Sequence, residues 1–149
     1  MKLDPVKVER LNYLLQRNIE EIGITEIKPD EGKIGKFCEV IEDTNFEGKI
    51  VHPGYIMSLT NPIVQQILTK GGPELFSGLV KAFIHVGSEV EYFKPMVMQK
   101  KYKIKVVLSE PIEKTGKKGT FCSISFIFSV YDEDNNIYTI DNHICFYKL

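Results

Sequence analysis

The sequence predicts an α+β fold, one early buried helix followed by antiparallel strands joined through hairpins. Three observations carry this reading. Apolar residues recur at helical spacing over residues 55–70. From residue 79 onward the chain is a series of segments rich in β-branched and aromatic residues, broken by "FKP", "EKTGKKG" and "DEDNN". Within that series, "SISFIFSVY" alternates Ser with large apolar residues, the pattern of a strand with one buried face. An antiparallel sheet packed on one side around a helix satisfies all three.

The elements follow in order. Asp4 and Pro5 form a helix-starting pair, and Val8, Leu11, Leu15, Ile19 and Ile22 recur on one face until Gly23, which predicts a helix over residues 5–22. "ITEI" and "GKFCEVIE" read as two strands joined through the turn "KPDEG". In the next helix, Ile56, Leu59, Ile63 and Ile67 share one face, widened by Met57, Val64 and Leu68. So broad an apolar surface predicts a helix surrounded by protein, kinked near residues 58–61 by Pro62 and ended at "KGGP". "LVKAFIHV", "SEVEYF", "KKYKIKVVLSE", "TFCSISFIFSVYD" and "IYTIDNHICFYKL" are the predicted strands.

At 149 residues the chain fits one domain spanning 1–149. A net charge of −1 gives no global field toward nucleic acid or an anionic membrane, and the basic runs "KPMVMQKKYKIK" and "KTGKKG" read as solvated strand faces and turns. No apolar run approaches the ~20 residues of a membrane span, and "MKLDPVKVER" lacks the apolar core of a signal peptide. Cys38, Cys122 and Cys145 are widely spaced, which predicts reduced, packed thiols in a cytoplasmic protein. His52, His85 and His143 show no metal-ligand spacing with them, so neither a metal nor a bound cofactor is expected.

The stretch "NFEGKIVHPGYIMSLTN" resembles two branches of the hot-dog superfamily of acyl-thioester proteins. That resemblance implies a curved antiparallel sheet wrapped around a central helix, here with an extra N-terminal helix, and two protomers pairing to build each active site. Against the beta-hydroxyacyl-ACP dehydratase hallmark, the stretch keeps Phe46, Gly48, Pro53 and Gly54, while the catalytic His and acid of that family fall on Asn45 and Leu59. "EYFKPMVMQKKYKIKV" is similar to the same family's F-x-x-P-V segment. Against the small acyl-CoA thioesterases, "HPGYIMSLTN" keeps His52, Gly54 and Leu59, and Asn45 and Gly48 match once one extra residue is allowed before His52. The thioesterase carboxylate falls on Asn61.

The chemistry gives these positions possible roles. Unpaired N–H groups at a helix N-terminus polarise a thioester carbonyl, and Gly54 lets the backbone come close without a Cβ. On that reading Gly48, Pro53, Gly54, Tyr55 and Phe93 bind substrate, with Tyr92 and Phe93 lining an acyl tunnel. His52, Asn61 and Asn45 are the candidate catalytic groups: His52 as base or orienting donor, Asn61 as a positioner of water, Asn45 as a donor to the thioester oxygen. "HPG" reads equally as a tight strand-to-helix turn, and Asn61 as a partner for backbone groups freed by Pro62. The resemblance implies an acyl-CoA or acyl-ACP ligand and a homodimer or higher homo-oligomer. It implies thioester hydrolysis if the protein is active; a non-catalytic acyl-thioester sensor or partner subunit is the alternative, ahead of dehydration. Glu47, Glu74 and Glu89 are carboxylates that a dimer partner could bring near Gly54.

Overall fold

The computed structural model describes residues 2–45, 47–70 and 72–149; Phe46, matched in the dehydratase hallmark, lies outside them. Helix α1 (Pro5–Ile22) starts where Asp4 accepts a hydrogen bond from the Val6 N–H and ends at Gly23, as the spacing predicts. Its apolar face includes Leu14 as well as the expected positions, and it carries the buried Asn18, whose Nδ2 donates to the Ile67 carbonyl at 2.8 Å. That bond satisfies a carbonyl in the last turn of helix α3 (Ile56–Lys70) and ties the two helices together.

The sheet has six strands, β1 (Thr25–Ile27), β2 (Ala82–Tyr92), β3 (Tyr102–Leu108), β4 (Ile112–Gly116), β5 (Gly119–Tyr131) and β6 (Ile137–Lys148). Their order is β1-β3-β5-β6-β2, every pairing is antiparallel, and β4 pairs with β5. One face packs on the helices. Ile124, Phe126 and Phe128 of β5, Ile104 of β3 and Cys145 and Tyr147 of β6 join Leu11, Leu15, Ile63 and Ile67 in the core. Each such apolar side chain contributes roughly 2 kcal/mol of transfer free energy. The three cysteines are free and buried, and burial pushes the Cys145 thiol up to about 12 and the Cys122 thiol up to about 11.

Several local expectations are corrected. "GKFCEVIE" is not a strand but most of helix α2 (Glu31–Val40). Asp30 caps it by accepting from the Lys33 N–H at 2.9 Å, and Ile34 and Cys38, four residues apart, are its buried positions, so the working period is helical. "LVKAFIHV" and "SEVEYF" are largely one strand, β2, with an irregularity between His85 and Gly87 rather than a break. The supposed break "EKTGKKG" holds most of β4 and a two-residue turn, with Gly116 opposite Gly119. A short helix α4 (Gly72–Phe76) follows α3. Helix α3 is continuous through Pro62, and in the single chain Ser58, Asn61, Gln65 and Gln66 are exposed, so it is covered on one side rather than surrounded. Among the described residues no helix is long and apolar enough to cross a membrane.

Candidate functional site

"HPG" forms a single turn of 3-10 helix (Pro53–Tyr55) that leads into α3. His52 caps it through its side chain, Nδ1 accepting from the Gly54 N–H at 3.0 Å. With Nδ1 an acceptor, the neutral ring carries its proton on Nε2, and Nε2 faces Asp43 Oδ2 at 3.6 Å. Asp43 is held in turn by the Asn45 N–H, which donates to its Oδ1 at 3.0 Å. The His52 ring also packs against Phe37 of α2, with centroids 5.6 Å apart, and Phe37 meets Tyr55 edge-on at 5.3 Å. A Cβ on Gly54 would lie 3.1 Å from His52 Nδ1 and 3.5 Å from Phe37, so glycine here leaves room for the imidazole. Gly48, at φ 76°, packs its Cα against the Glu31 side chain of α2.

Beside His52 opens an apolar cleft of about 220 Å³. Its walls are the segment around Ile50–His52, which pairs with the segment around Met96 (Val51 N–H to Met96 carbonyl, 2.8 Å), and the first turn of α3 through Ile56 and Leu59. Tyr92, Phe93 and Thr139 complete the lining at the end of the β2–β6 pair. Tyr92 donates its hydroxyl to the Pro53 carbonyl at 2.8 Å, clamping the turn onto the sheet. Partial burial, and then the Asp141 carboxylate, hold the Tyr92 phenol above its ordinary range, so it stays protonated and remains a donor. A second depression adjoins the cleft on the far side of His52 and is lined by Asp43, Asn45, Glu47 and Lys49.

The structure therefore brings together several of the residues singled out by sequence, Tyr92 and Glu47 among them. His52, Pro53 and Phe93 line the cleft, and Asn45 shares the adjoining depression with His52 and Pro53. Gly54 and Tyr55 belong to the turn itself, Gly54 donating its N–H to His52 and Tyr55 packing on Phe37, while Gly48 lies against Glu31 of α2. Asn61 lies on the exposed side of α3 and is not part of the lining. A carboxylate that the sequence reading did not single out, Asp43, lies nine positions before His52 and faces its ring within the same chain. The turn after α2 places it there, and with α2 read as a strand no spacing rule pointed to it.

A buried polar cluster behind the cleft was likewise unanticipated. Asp141 of β6 is fully buried, and the Thr60 hydroxyl of α3 donates to its Oδ2 at 3.0 Å. His143, two residues along the same inner face, stacks on His85 of β2 with centroids 3.6 Å apart, and the Ser88 hydroxyl lies within 3.2 Å of His85 Nε2 and 3.4 Å of His143 Nδ1. Burial raises the Asp141 carboxyl, and burial, then His85, lowers His143 to about 4, so both groups favour their uncharged forms. The available signal was Asp and His at alternate positions of an otherwise apolar strand, which puts both on the core face.

No protein-family model matches the chain, and no curated protein matches it in sequence. Solved structures do match. The structure of BH1999 gentisyl-coenzyme A thioesterase aligns over 84% of this chain and 88% of its own, with TM-score 0.56 and 14% identity. The (R)-hydratase from A. caviae involved in PHA biosynthesis aligns over 83% and 91%, with TM-score 0.57 and 12% identity. The ChsH1–ChsH2 complex from Mycobacterium tuberculosis aligns over 93% and 91%, with TM-score 0.61 and 13% identity. At such identities the likeness establishes architecture.

Proposed function

The chain has the hot-dog fold, and from that premise we propose that it binds an acyl-CoA or acyl-ACP thioester and activates water against it. The observation that carries this reading is the Asp43–His52 pair, in which His52 lines the apolar cleft and Asp43 the depression on its far side. The acyl chain occupies the cleft formed by Ile56, Leu59, Tyr92 and Phe93. At about 220 Å³ the cleft is smaller than the ~300 Å³ at which drug-sized pockets begin, so a short acyl chain suits it. The carrier leaves past the polar depression.

Asp43 accepts a proton from water, the water oxygen attacks the thioester carbonyl carbon, and the His52 Nε2–H stabilises the developing oxyanion. Collapse breaks the C–S bond, and the leaving thiolate takes the proton that Asp43 received from water, giving a free acid and a thiol and restoring the Asp43 carboxylate. His52 rather than the Gly54 N–H is the donor here, because Gly54 already donates to the imidazole, whereas His52 Nε2 lies 3.6 Å from Asp43 Oδ2, too far for a hydrogen bond that would hold its proton there. Homo-oligomerisation belongs to the proposal: β2 is an eleven-residue edge strand whose outer hydrogen-bonding side is open to a second copy, with Ile84 and Val86 exposed along it.

The same acid/base pair favours a second reading, water addition to an α,β-unsaturated acyl thioester, because that reaction needs one group to activate water and another to deliver a proton. One assay separates the readings. Saturated and 2-enoyl-CoAs of increasing length are incubated with the protein while thiol release and enoyl absorbance are followed together. Thiol release from short saturated chains is the expected result. Loss of enoyl absorbance without thiol selects the second reading, and binding with neither change selects a non-catalytic sensor or partner subunit. No binding of any acyl thioester contradicts the proposal.

A further inference from the structure

The apolar cleft has an exposed rim and a buried floor. Ile50, Tyr92 and Phe93 are exposed, and His52 stands among them partly open to solvent. Val51, Ile56, Met96 and Thr139 are buried. With the thioester carbonyl at His52, this floor meets the end of the acyl group remote from sulfur. Three of the floor residues are apolar, and the fourth carries a hydroxyl. Thr139 projects from the inner face of β6, which it shares with Asp141 and His143, and is only 2% exposed. Among the described residues none bonds its hydroxyl. The other polar side chains of the lining are engaged. His52 accepts from Gly54 and faces Asp43, the Tyr92 hydroxyl donates to the Pro53 carbonyl, and the Lys94 ammonium lies over the Tyr138 ring. The same inner face carries a second unpaired oxygen: Asp141 Oδ2 accepts from Thr60 of α3, while Oδ1 is buried without a partner among the described residues.

We propose that Thr139 sets the specificity of the cleft for an acyl group that carries a hydroxyl at the end remote from the thioester. This rests on the thioester-binding reading and names the acyl group that the site selects. A strand residue facing an apolar floor is served by valine, which has the shape of threonine without the oxygen. Burying a hydroxyl without a partner is unfavourable, and a hydrocarbon chain end that displaces water from the floor leaves Thr139 in that state. A terminal hydroxyl on the acyl group removes the conflict. Each hydroxyl is both donor and acceptor, so one bond satisfies both. The discrimination is lopsided: an apolar pocket rejects an added hydroxyl weakly, whereas a site with an unpaired polar group rejects strongly the ligand that lacks its partner. A terminal carboxylate suits the floor less, because it brings a charge against Val51, Ile56 and Met96 with no cation among the floor residues. A hydroxyl close to the thioester would lie near the rim, beside His52, and gain nothing from Thr139.

Calorimetric titration of the full chain with butyryl-, valeryl- and hexanoyl-CoA, each beside its ω-hydroxy counterpart, reads the selection directly. At the chain length that spans rim to floor, the ω-hydroxy ligand is expected to bind the wild type about tenfold tighter or more. Thr139→Val should erase that preference, binding the unsubstituted chain better and the hydroxylated chain worse. Thr139→Ser, which restores the hydroxyl, should regain it. Thermal melting of each variant checks that it is folded, and the wild-type comparison stands without either. Equal affinity of the wild type for both members of every pair, or a preference that folded Thr139→Val keeps, would overturn the proposal and leave the thioester cleft standing. Tighter binding of 3-hydroxybutyryl-CoA than of its ω-hydroxy isomer would place the oxygen at the rim and overturn it as well. If the wild type binds no member of any pair, this inference and the cleft reading fall together.

Discussion

Asp43→Asn is expected to lower kcat for the acyl thioester by roughly 10²–10⁴-fold, the usual worth of a positioned general base, while leaving ligand affinity nearly unchanged. Asparagine keeps the shape and can still accept from the Asn45 N–H, but it takes no proton from water. His52→Gln should show a comparable loss if the Nε2–H stabilises the oxyanion. The measurement is steady-state turnover at saturating substrate, with the Kd determined separately. An Asp43→Asn protein with wild-type kcat would remove the acid/base pair from the mechanism and leave the cleft as a binding site alone.

Acid is expected to destabilise the fold through His143. Its neutral ring is buried against His85, Ser88 and Asp141 and meets Phe128 of β5 edge-on, and burial, then His85, lowers it to about 4 from 6.5. Between those values the unfolded chain binds a proton that the folded chain refuses, so this contribution is fully present above pH 6.5 and lost as pH falls toward 4. The shift corresponds to about 3 kcal/mol. Asp141 works in the opposite direction, because its raised carboxyl makes the folded state the better proton binder above the ordinary carboxylate range. Urea titrations from pH 7.5 to 4 should therefore show a steep fall for the wild type and a shallower one for His143→Gln. Equal slopes would show that His143 is protonated in the folded protein.

These effects divide by what the sequence made legible. Helix α1 was readable to its ends because its cap, apolar period and terminal glycine all agree. Strands β3, β5 and β6 were readable because their alternation and flanking turns agree as well. Helix α2 was not, since two glycines and two lysines within "EGKIGKFCEV" dilute the period while Val and Ile at its end imitate a strand. That error hid the site's carboxylate, for Asp43 reaches His52 only when α2 turns the chain back at Val40. The "HPG" turn itself was visible, but the donor role expected of Gly54 was not decided by the motif. It depends on the rotamer of His52, whose Nδ1 accepts that N–H. Asn61 was placed by matching a motif, and the helix presents it to solvent in the single chain.

The central claim is that the cleft beside His52 holds the acyl chain of a thioester ligand. Calorimetric titration of short-chain acyl-CoA into the wild type and into folded Leu59→Trp tests it most directly, because the indole fills the space between α3 and Phe93. Saturable binding to the wild type, weakened roughly tenfold or more in Leu59→Trp, a loss of about 1.4 kcal/mol or greater, is the predicted result. Equal affinity in both proteins, or no binding to the wild type, would contradict it.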